Sequence, residues 1–383
     1  MPQPAHPARA GRGGTVKILL TADAVGGVWQ YATDLAQGLA DLNIQTVLAA
    51  MGPPPSPRQR DAARSIDGST LVETHLPLDW LAESPKAIAD AGRTLAELAR
   101  RHDADLVQLN AAALAAETEF DQPVVAVAHS CLGTWWRATK GDDPDSPFRW
   151  RSELTGQGLA LADRVVAPTK AIARATKEVH RLAQLPTTVH NGRSLRPVEP
   201  VASHDFAFTA GRLWDKGKNV ATLDGAAARL PFPLHAAGPI EGPSGDRIEF
   251  NHIHALGTLS DREISSWLGA RPVFVSAALY EPFGLAVLEA AAAGCPLVLA
   301  DIPTFRELWH GVAVFVDPMD ANGFAEAISL VVRDDFARAE MGRQAQLRAA
   351  QFSVEAMAGK MAAIYQSLLR PQAAATLAQE VAA

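Results

Sequence analysis

"PVFVSAALYEPFGLAVLEAAAAGCPLVLAD", residues 272–301, decides the reading of the fold. Residues 272–278 form an apolar run of strand length, and "PLVLAD" (296–301) forms another. Between them a helix is expected to open at about Pro282 to Gly284, since proline's missing donor costs nothing in a first turn. "AAAAGC" (290–295) supplies small residues that allow close backbone packing, so this helix reads as buried. Two carboxylates, Glu281 and Glu289, interrupt a stretch otherwise built for burial, and a glutamate on a buried helix needs a partner.

Working outward, the same alternation recurs. Apolar runs lie at 15–23, 45–50, 104–110, 123–129, 164–169 and 187–191, with helical segments at 26–42, 85–101, 148–163 and 170–182. "SLRPVEPVASHD" (194–205) breaks the pattern with two prolines and reads as a linker. The alternation then restarts, with strands expected at 206–212, 233–239, 252–259, 272–278, 296–301 and 313–318. Alternating strands and helices imply parallel sheets covered on both faces. The expected fold class is α/β, with two Rossmann-like doubly wound domains whose strand ends face a central cleft. The expected divisions are a tail at 1–14, a first domain at 15–193, the linker at 194–205, a second domain at 206–352, a helix at 353–370 and a tail at 371–383.

Composition limits the function. The 383 residues are 48% hydrophobic and 20% charged, a globular balance, and suit two domains. A net charge of −7 gives no basic surface for nucleic acid. No apolar run approaches the ~18 residues of a membrane span, and no stretch resembles a signal peptide, so a cytoplasmic protein is expected. Cys131 and Cys295 are expected to be free thiols.

Four features carry chemistry. Amides of Phe283, Gly284 and Leu285 at the helix mouth suit an anion or polarised hydroxyls. At ~1.5 Å per residue, Glu289 lies roughly 8–12 Å beyond Glu281, comparable to the reach of a diphosphate joining two sugars. Sugar hydroxyls are donors, and a charged acceptor strengthens each bond. In "TAGRLWDKGKNV" (209–220), Arg212, Lys216 and Lys218 follow a strand's C-terminal end, where a diphosphate would be met. In "ADAVGGVWQ" (22–30), Gly26 and Gly27 sit where the first strand turns into its helix and let backbone approach a phosphate or sugar. His129 ends the run "PVVAVAH" and can hydrogen-bond a sugar hydroxyl, while Trp135 and Trp136 offer stacking surfaces. The Asp103/Asp105 and Asp143/Asp145 pairs match an Asp-x-Asp metal motif in letters but precede a strand and lie in a proline-rich loop; both read as surface acids, and no metal site is expected.

Together these residues resemble the retaining nucleotide-sugar glycosyltransferases of the GT-B fold, specifically the family-4-like group, over about residues 15 to 370. The most specific element is "EPFGLAVLEAAAAG", similar to the family's E-x7-E signature. "GRLWDKGKN" resembles its phosphate segment, "GGVWQYATDLAQGLA" its N-terminal loop and helix, and "VAPT" and "VHNG" its first-domain ending. "FSVEAMAGKMAAIYQSLL" (352–369) resembles the last helix, which in the family crosses back to the first domain.

The resemblance implies a hexosyltransferase, as in polysaccharide biosynthesis, using a nucleotide-diphosphate sugar and no metal or other cofactor. It assigns Arg212 and a lysine to the donor diphosphate, with Lys218 favoured over Lys216 because Asn219-Val220 follows it. Glu281, with the amides of Phe283, Gly284 and Leu285, would hold the donor sugar, Glu289 the ribose, and His129 the sugar. Gly26 and Gly27 would contact donor phosphate or acceptor. The acceptor would be a glycan, a lipid-linked glycan or a small molecule, and peripheral membrane contact stays open. A nucleotide-sugar epimerase, or a silent sugar-binding protein on the same scaffold, are the alternatives.

Overall fold

The computed structural model describes residues 15–194, 205–243 and 245–369; the expected tails and the linker between Ser194 and Asp205 lie outside them. The chain divides into two compact units. The first takes the chain to Thr134, Asp143–Gly192 and the chain from Val354; the second takes Trp135–Asp142 and Arg193–Ser353. The short stretch Trp135–Asp142, expected in the first domain, thus groups with the second.

In the first unit, β1 (Lys17–Asp23), β2 (Gln45–Met51), β3 (Ser69–Glu73), β4 (Leu106–Leu109), β5 (Val124–Val127), β6 (Arg164–Ala167) and β7 (Thr187–Thr188) form one parallel sheet. Their order is β3-β2-β1-β4-β5-β6-β7. Successive residues of β1 face opposite sides, and both sides are buried. Ile18 and Leu20 pack with Leu35 of the helix Gly27–Ala40 and with Met357, Met361 and Tyr365 of the final helix Val354–Leu369. Leu19 packs on the other side with Ile88 and Leu95 of the helix Pro85–Arg101. The final helix therefore completes a core of the first unit.

The second unit holds β8 (Ala207–Ala210), β9 (Leu234–Ala237), β10 (His254–Gly257), β11 (Val273–Ser276), β12 (Leu297–Ala300) and β13 (Ala313–Val316), in the order β10-β9-β8-β11-β12-β13. All its pairings are parallel. The helix of the opening stretch, Leu285–Ala292, buries Val287, Leu288, Ala290 and Ala291 against this sheet's core.

Both sheets reverse direction of strand order once, between β1 and β4 and between β8 and β11. At such a point neighbouring connections leave toward opposite faces, which opens a crevice at the strands' C-terminal ends, where ligands bind in this architecture. The segments after β8 and β11 are the ones carrying Arg212, Lys218, Glu281 and Glu289. Cys131 and Cys295 form no disulfide. Among the described residues no helix is long and apolar enough to cross a membrane.

Candidate functional site

The basic turn after β8 is held by a buried carboxylate that sequence reasoning overlooked. Asp215 accepts from the Gly217 amide at 2.9 Å, from Trp135 Nε1 at 3.0 Å and from Arg212 Nη2 at 3.1 Å. It caps the single 3-10 turn Lys216–Lys218. Trp135, read as a stacking surface, has its polar edge engaged by Asp215. Asn219 follows in the left-handed region (φ +51°), and its Nδ2 donates to the carbonyls of Ala277 at 3.0 Å and Pro318 at 2.7 Å. The Gly217 carbonyl in turn accepts from the amides of Leu279 (2.9 Å) and Tyr280 (3.2 Å). These bonds tie the basic turn to the loop after β11.

That tie separates the two competing lysines. In a 3-10 turn, residues 216 and 218 stand two-thirds of a turn apart and face different ways. Lys216 is exposed, whereas Lys218 runs beside Gly211 and pairs through Nζ with Glu281 Oε2. The Lys218 and Glu281 side chains are 22% and 14% exposed, so the pair is partly desolvated and stronger than a surface pair.

The helix after Glu281 starts later than expected. It opens at Leu285, and Gly284 is its N-cap at φ +90°, a left-handed conformation that excludes this residue from the helix and favours glycine. The first-turn amides without intrahelical acceptors are accordingly those of Leu285, Ala286 and Val287. Of the expected Phe283, Gly284 and Leu285, only Leu285 is helical; Phe283 and Gly284 belong to the preceding turn. The Phe283 side chain is buried edge-on against Phe352, so only its backbone is available to a ligand. Glu289 lies in the second helical turn and does have a partner: Arg193 Nε donates to its Oε1 at 2.8 Å. The second unit thus gathers Arg212, Lys218 and Arg193 with Asp215, Glu281 and Glu289, each cation beside a carboxylate.

In the first unit His129 lies two residues beyond β5 rather than at its end. Its setting fixes its tautomer. Asn110 Nδ2 donates to the Thr21 carbonyl at 2.5 Å, so Asn110 Oδ1 must be the acceptor for His129 Nε2 at 3.0 Å and for Gln108 Nε2 at 3.2 Å. His129 therefore carries its proton on Nε2 and keeps a lone pair on Nδ1. The Tyr31 ring meets the imidazole edge-on at 4.3 Å between centroids. Gly26 is the extended N-cap of the helix Gly27–Ala40, and Gly27, its first residue, is exposed. Both glycines and the Asn110 turn follow β1 and β4, the strands at this sheet's reversal point.

Burial pushes the His129 pKa down to about 3. An unfolded histidine takes its proton near pH 6.5, so between these values the unfolded chain binds more protons and stability falls as pH falls. His129→Gln keeps an amide donor for Asn110 without this titration. Between pH 7 and pH 5 the wild type should lose about 2 kcal/mol more unfolding free energy than His129→Gln. Urea denaturation at the two pH values measures the difference; parallel losses would contradict a buried, neutral His129. His180, pushed down to about 4, and Asp79, pushed up to about 6 by burial, are common to both proteins and cancel.

Among the described residues no group of three His, Cys, Asp or Glu side chains gathers to hold a metal ion. Asp105 accepts from the Lys17 amide at 2.9 Å, and Asp145 is the N-cap of the helix Ser146–Leu161. The residues sequence reasoning missed are Asp215, Arg193 and Asn110. Each is a partner of a chosen residue: Arg193 and Asn110 are reached through the fold, and Asp215 lies three residues from Arg212.

Two family models match. "Glycosyltransferase Family 4" covers residues 25–196, and "Glycosyl transferases group 1" covers residues 247–348, which include Glu281 and Glu289. D-inositol 3-phosphate glycosyltransferase of Thermobispora bispora is 31% identical over 267 residues, covering 61% of this chain and 62% of that protein. The enzyme of that name from Pseudarthrobacter chlorophenolicus is 36% identical over 99 residues, covering 25% of this chain and 24% of its own. Lipopolysaccharide core biosynthesis mannosyltransferase LpsB of Rhizobium meliloti is 34% identical over 131 residues, covering 33% and 35%. The matches thus span between a quarter and about three-fifths of these relatives' lengths. Among solved structures, sucrose-phosphate synthase from Thermosynechococcus elongatus superposes with a TM-score of 0.77 at 19% identity, covering 93% of this chain and all of its own. HepE of Anabaena, solved with UDP and glucose, gives 0.69 at 20% identity, covering 92% and 100%. At these identities the structural likeness speaks for the fold, and the sequence models for the lineage. Residues 25–196 thus match the family-4 glycosyltransferase model and residues 247–348 the group-1 glycosyltransferase model, on the two-domain GT-B fold of the glycosyltransferases.

Proposed function

We propose that the protein is a retaining, metal-independent glycosyltransferase that moves a hexose from a nucleotide-diphosphate sugar to a glycan, lipid-linked or small-molecule acceptor. The observation that carries this reading is the Lys218–Glu281 pair, set with Arg212 where β8 and β11 reverse the strand order. A cation for the diphosphate and a carboxylate for sugar hydroxyls stand there within bonding reach of each other. Arg212 and Lys218 stabilise the charge that develops on the leaving diphosphate, as preorganised electrostatics. Glu281 and the turn at Phe283–Gly284, with the Leu285 amide, hold the donor sugar, and Glu289 receives the ribose. His129 offers the Nδ1 lone pair to a sugar hydroxyl, and Gly26 and Gly27 provide backbone for phosphate or acceptor.

In the retaining step the bond from the anomeric carbon to the diphosphate oxygen breaks while the acceptor oxygen bonds to the same face. The acceptor's proton passes to the departing phosphate. A relative named for transfer to D-inositol 3-phosphate and one named as a mannosyltransferase of lipopolysaccharide core biosynthesis support transfer of a sugar to a small-molecule or glycan acceptor.

Thermal-shift measurements with UDP-, GDP- and ADP-sugars test the reading. At about a hundredfold over Kd, binding adds ~2.7 kcal/mol, or a rise of roughly 5 °C or more in Tm. At least one donor should stabilise the wild type, and Glu289→Ala should abolish the shift. A shift that survives this change contradicts the ribose role, and no shift with any donor contradicts the transferase reading.

A further inference from the structure

Glu289 is the single charged residue on the helix Leu285–Ala292, whose rotation is fixed by its buried face. Its carboxylate nevertheless sits at the end of a flexible side chain, and the helix alone cannot aim it. Arg193 can. The Arg193 backbone is anchored by its amide on the Phe352 carbonyl at 3.2 Å. Its side chain is only 13% exposed, and Nε donates to Glu289 Oε1 at 2.8 Å, a charge-assisted bond. Among the described residues, Glu289 Oε2 accepts no hydrogen bond, so it is left for a ligand's hydroxyls. Arg193 also offsets a negative charge that would otherwise stand beside an incoming diphosphate.

We propose that Arg193 is a positioning residue: it holds Glu289 so that the carboxylate meets the ribose 2′- and 3′-hydroxyls, and it thereby sets the preference for ribonucleotide over deoxyribonucleotide donors. The inference rests on the ribose role proposed for Glu289. A merely structural ion pair would contribute to stability without affecting the choice between two ligands that differ by one hydroxyl. A positioned carboxylate discriminates against the ligand lacking that hydroxyl, because its partly desolvated acceptor is left without the charge-assisted bond.

The experiment compares the full-length wild type with Arg193→Met by isothermal titration with UDP, GDP and ADP and their 2′-deoxy counterparts. The wild type should bind one ribonucleotide at least tenfold more tightly than its deoxy form. In Arg193→Met that ratio should fall below threefold, with the circular dichroism spectrum of the folded protein retained. A folded Arg193→Met with the wild-type ratio overturns the proposal while leaving the ribose role of Glu289 intact. A wild type that binds ribo and deoxy forms equally overturns both. If Arg193→Met fails to fold, Arg193→Lys decides, since its ammonium lacks the fixed fork of the guanidinium. A reduced ratio supports the positioning role, and an unchanged ratio overturns it.

Discussion

Lys218→Ala should lower kcat/KM by about 10²–10³, the loss typical of removing one preorganised donor to a developing negative charge. Lys216→Ala should stay within about threefold of the wild type, because an exposed, solvated lysine that faces a different way from Lys218 supplies at most a screened attraction. The contrast follows from where the two ammonium groups stand. Lys216 is exposed, and Lys218 is held against Gly211 and paired with Glu281. Removing Lys218 takes away a cation and also leaves Glu281 as an uncompensated charge at the leaving group. Glu281→Gln in the Lys218→Ala background should therefore recover part of the lost donor affinity while kcat stays low. Steady-state kinetics of the four proteins with the donor found by thermal shift measure this. Equal losses for Lys216→Ala and Lys218→Ala would show that the turn supplies diffuse charge and not one placed cation.

Gly238→Ala should destabilise the second unit by about 3–5 kcal/mol, combining overpacking with backbone strain. Gly238 adopts φ +138°, and a Cβ built there would lie 1.8 Å from the Gly211 carbonyl oxygen, a backbone atom that cannot swing aside. Its amide donates to Gly257 at 2.8 Å, and the Gly211 amide to Ala237 at 3.0 Å. The ends of β8, β9 and β10 are therefore drawn together immediately before Arg212. Gly245→Ala is the control: φ is +84° but no atom lies within 4 Å of the added Cβ, so only conformational strain of about 1 kcal/mol applies. Urea midpoints followed by far-ultraviolet circular dichroism measure both. Equal effects would mean that the close approach of Gly238 to Gly211 contributes nothing.

The alternation of strands and helices was legible because a parallel strand covered on both faces is a continuous apolar run, as in β1, β5 and β12. The strand that escaped reading, β3 (STLVE), is an edge strand, largely half-buried, with three of its five residues polar. The helix Leu132–Lys140 escaped for a different reason: in LGTWWRATK the helical spacing of Leu132, Trp135 and Trp136 spans little more than one turn, too short to separate a helix from a loop. Periodicity also could not place the helix start at Leu285, since that depends on the backbone angle of one glycine. Within the candidate site, the residues with local motifs were legible, Glu281 and Glu289 by spacing and Arg212 and Lys218 by their place after a strand. Arg193 meets Glu289 across 96 positions, and Asn110 meets His129 across 19, distances over which one sequence gives no pairing signal. Asp215 was close at hand but carried no signal, because an aspartate in a basic turn reads as solvated until its burial is seen.

The packing of Val354–Leu369 has a consequence for the order in which the chain is made. Tyr365 donates to Gln108, which donates in turn to Tyr31 and Asn110, so the scaffold that orients His129 ends on a residue translated more than two hundred positions later. On the ribosome, the second unit's sheet can close while the first unit still lacks Met357, Met361 and Tyr365 from its core. The nascent first half must wait with part of its apolar face exposed, and the histidine acquires its final setting only when the last helix leaves the exit tunnel.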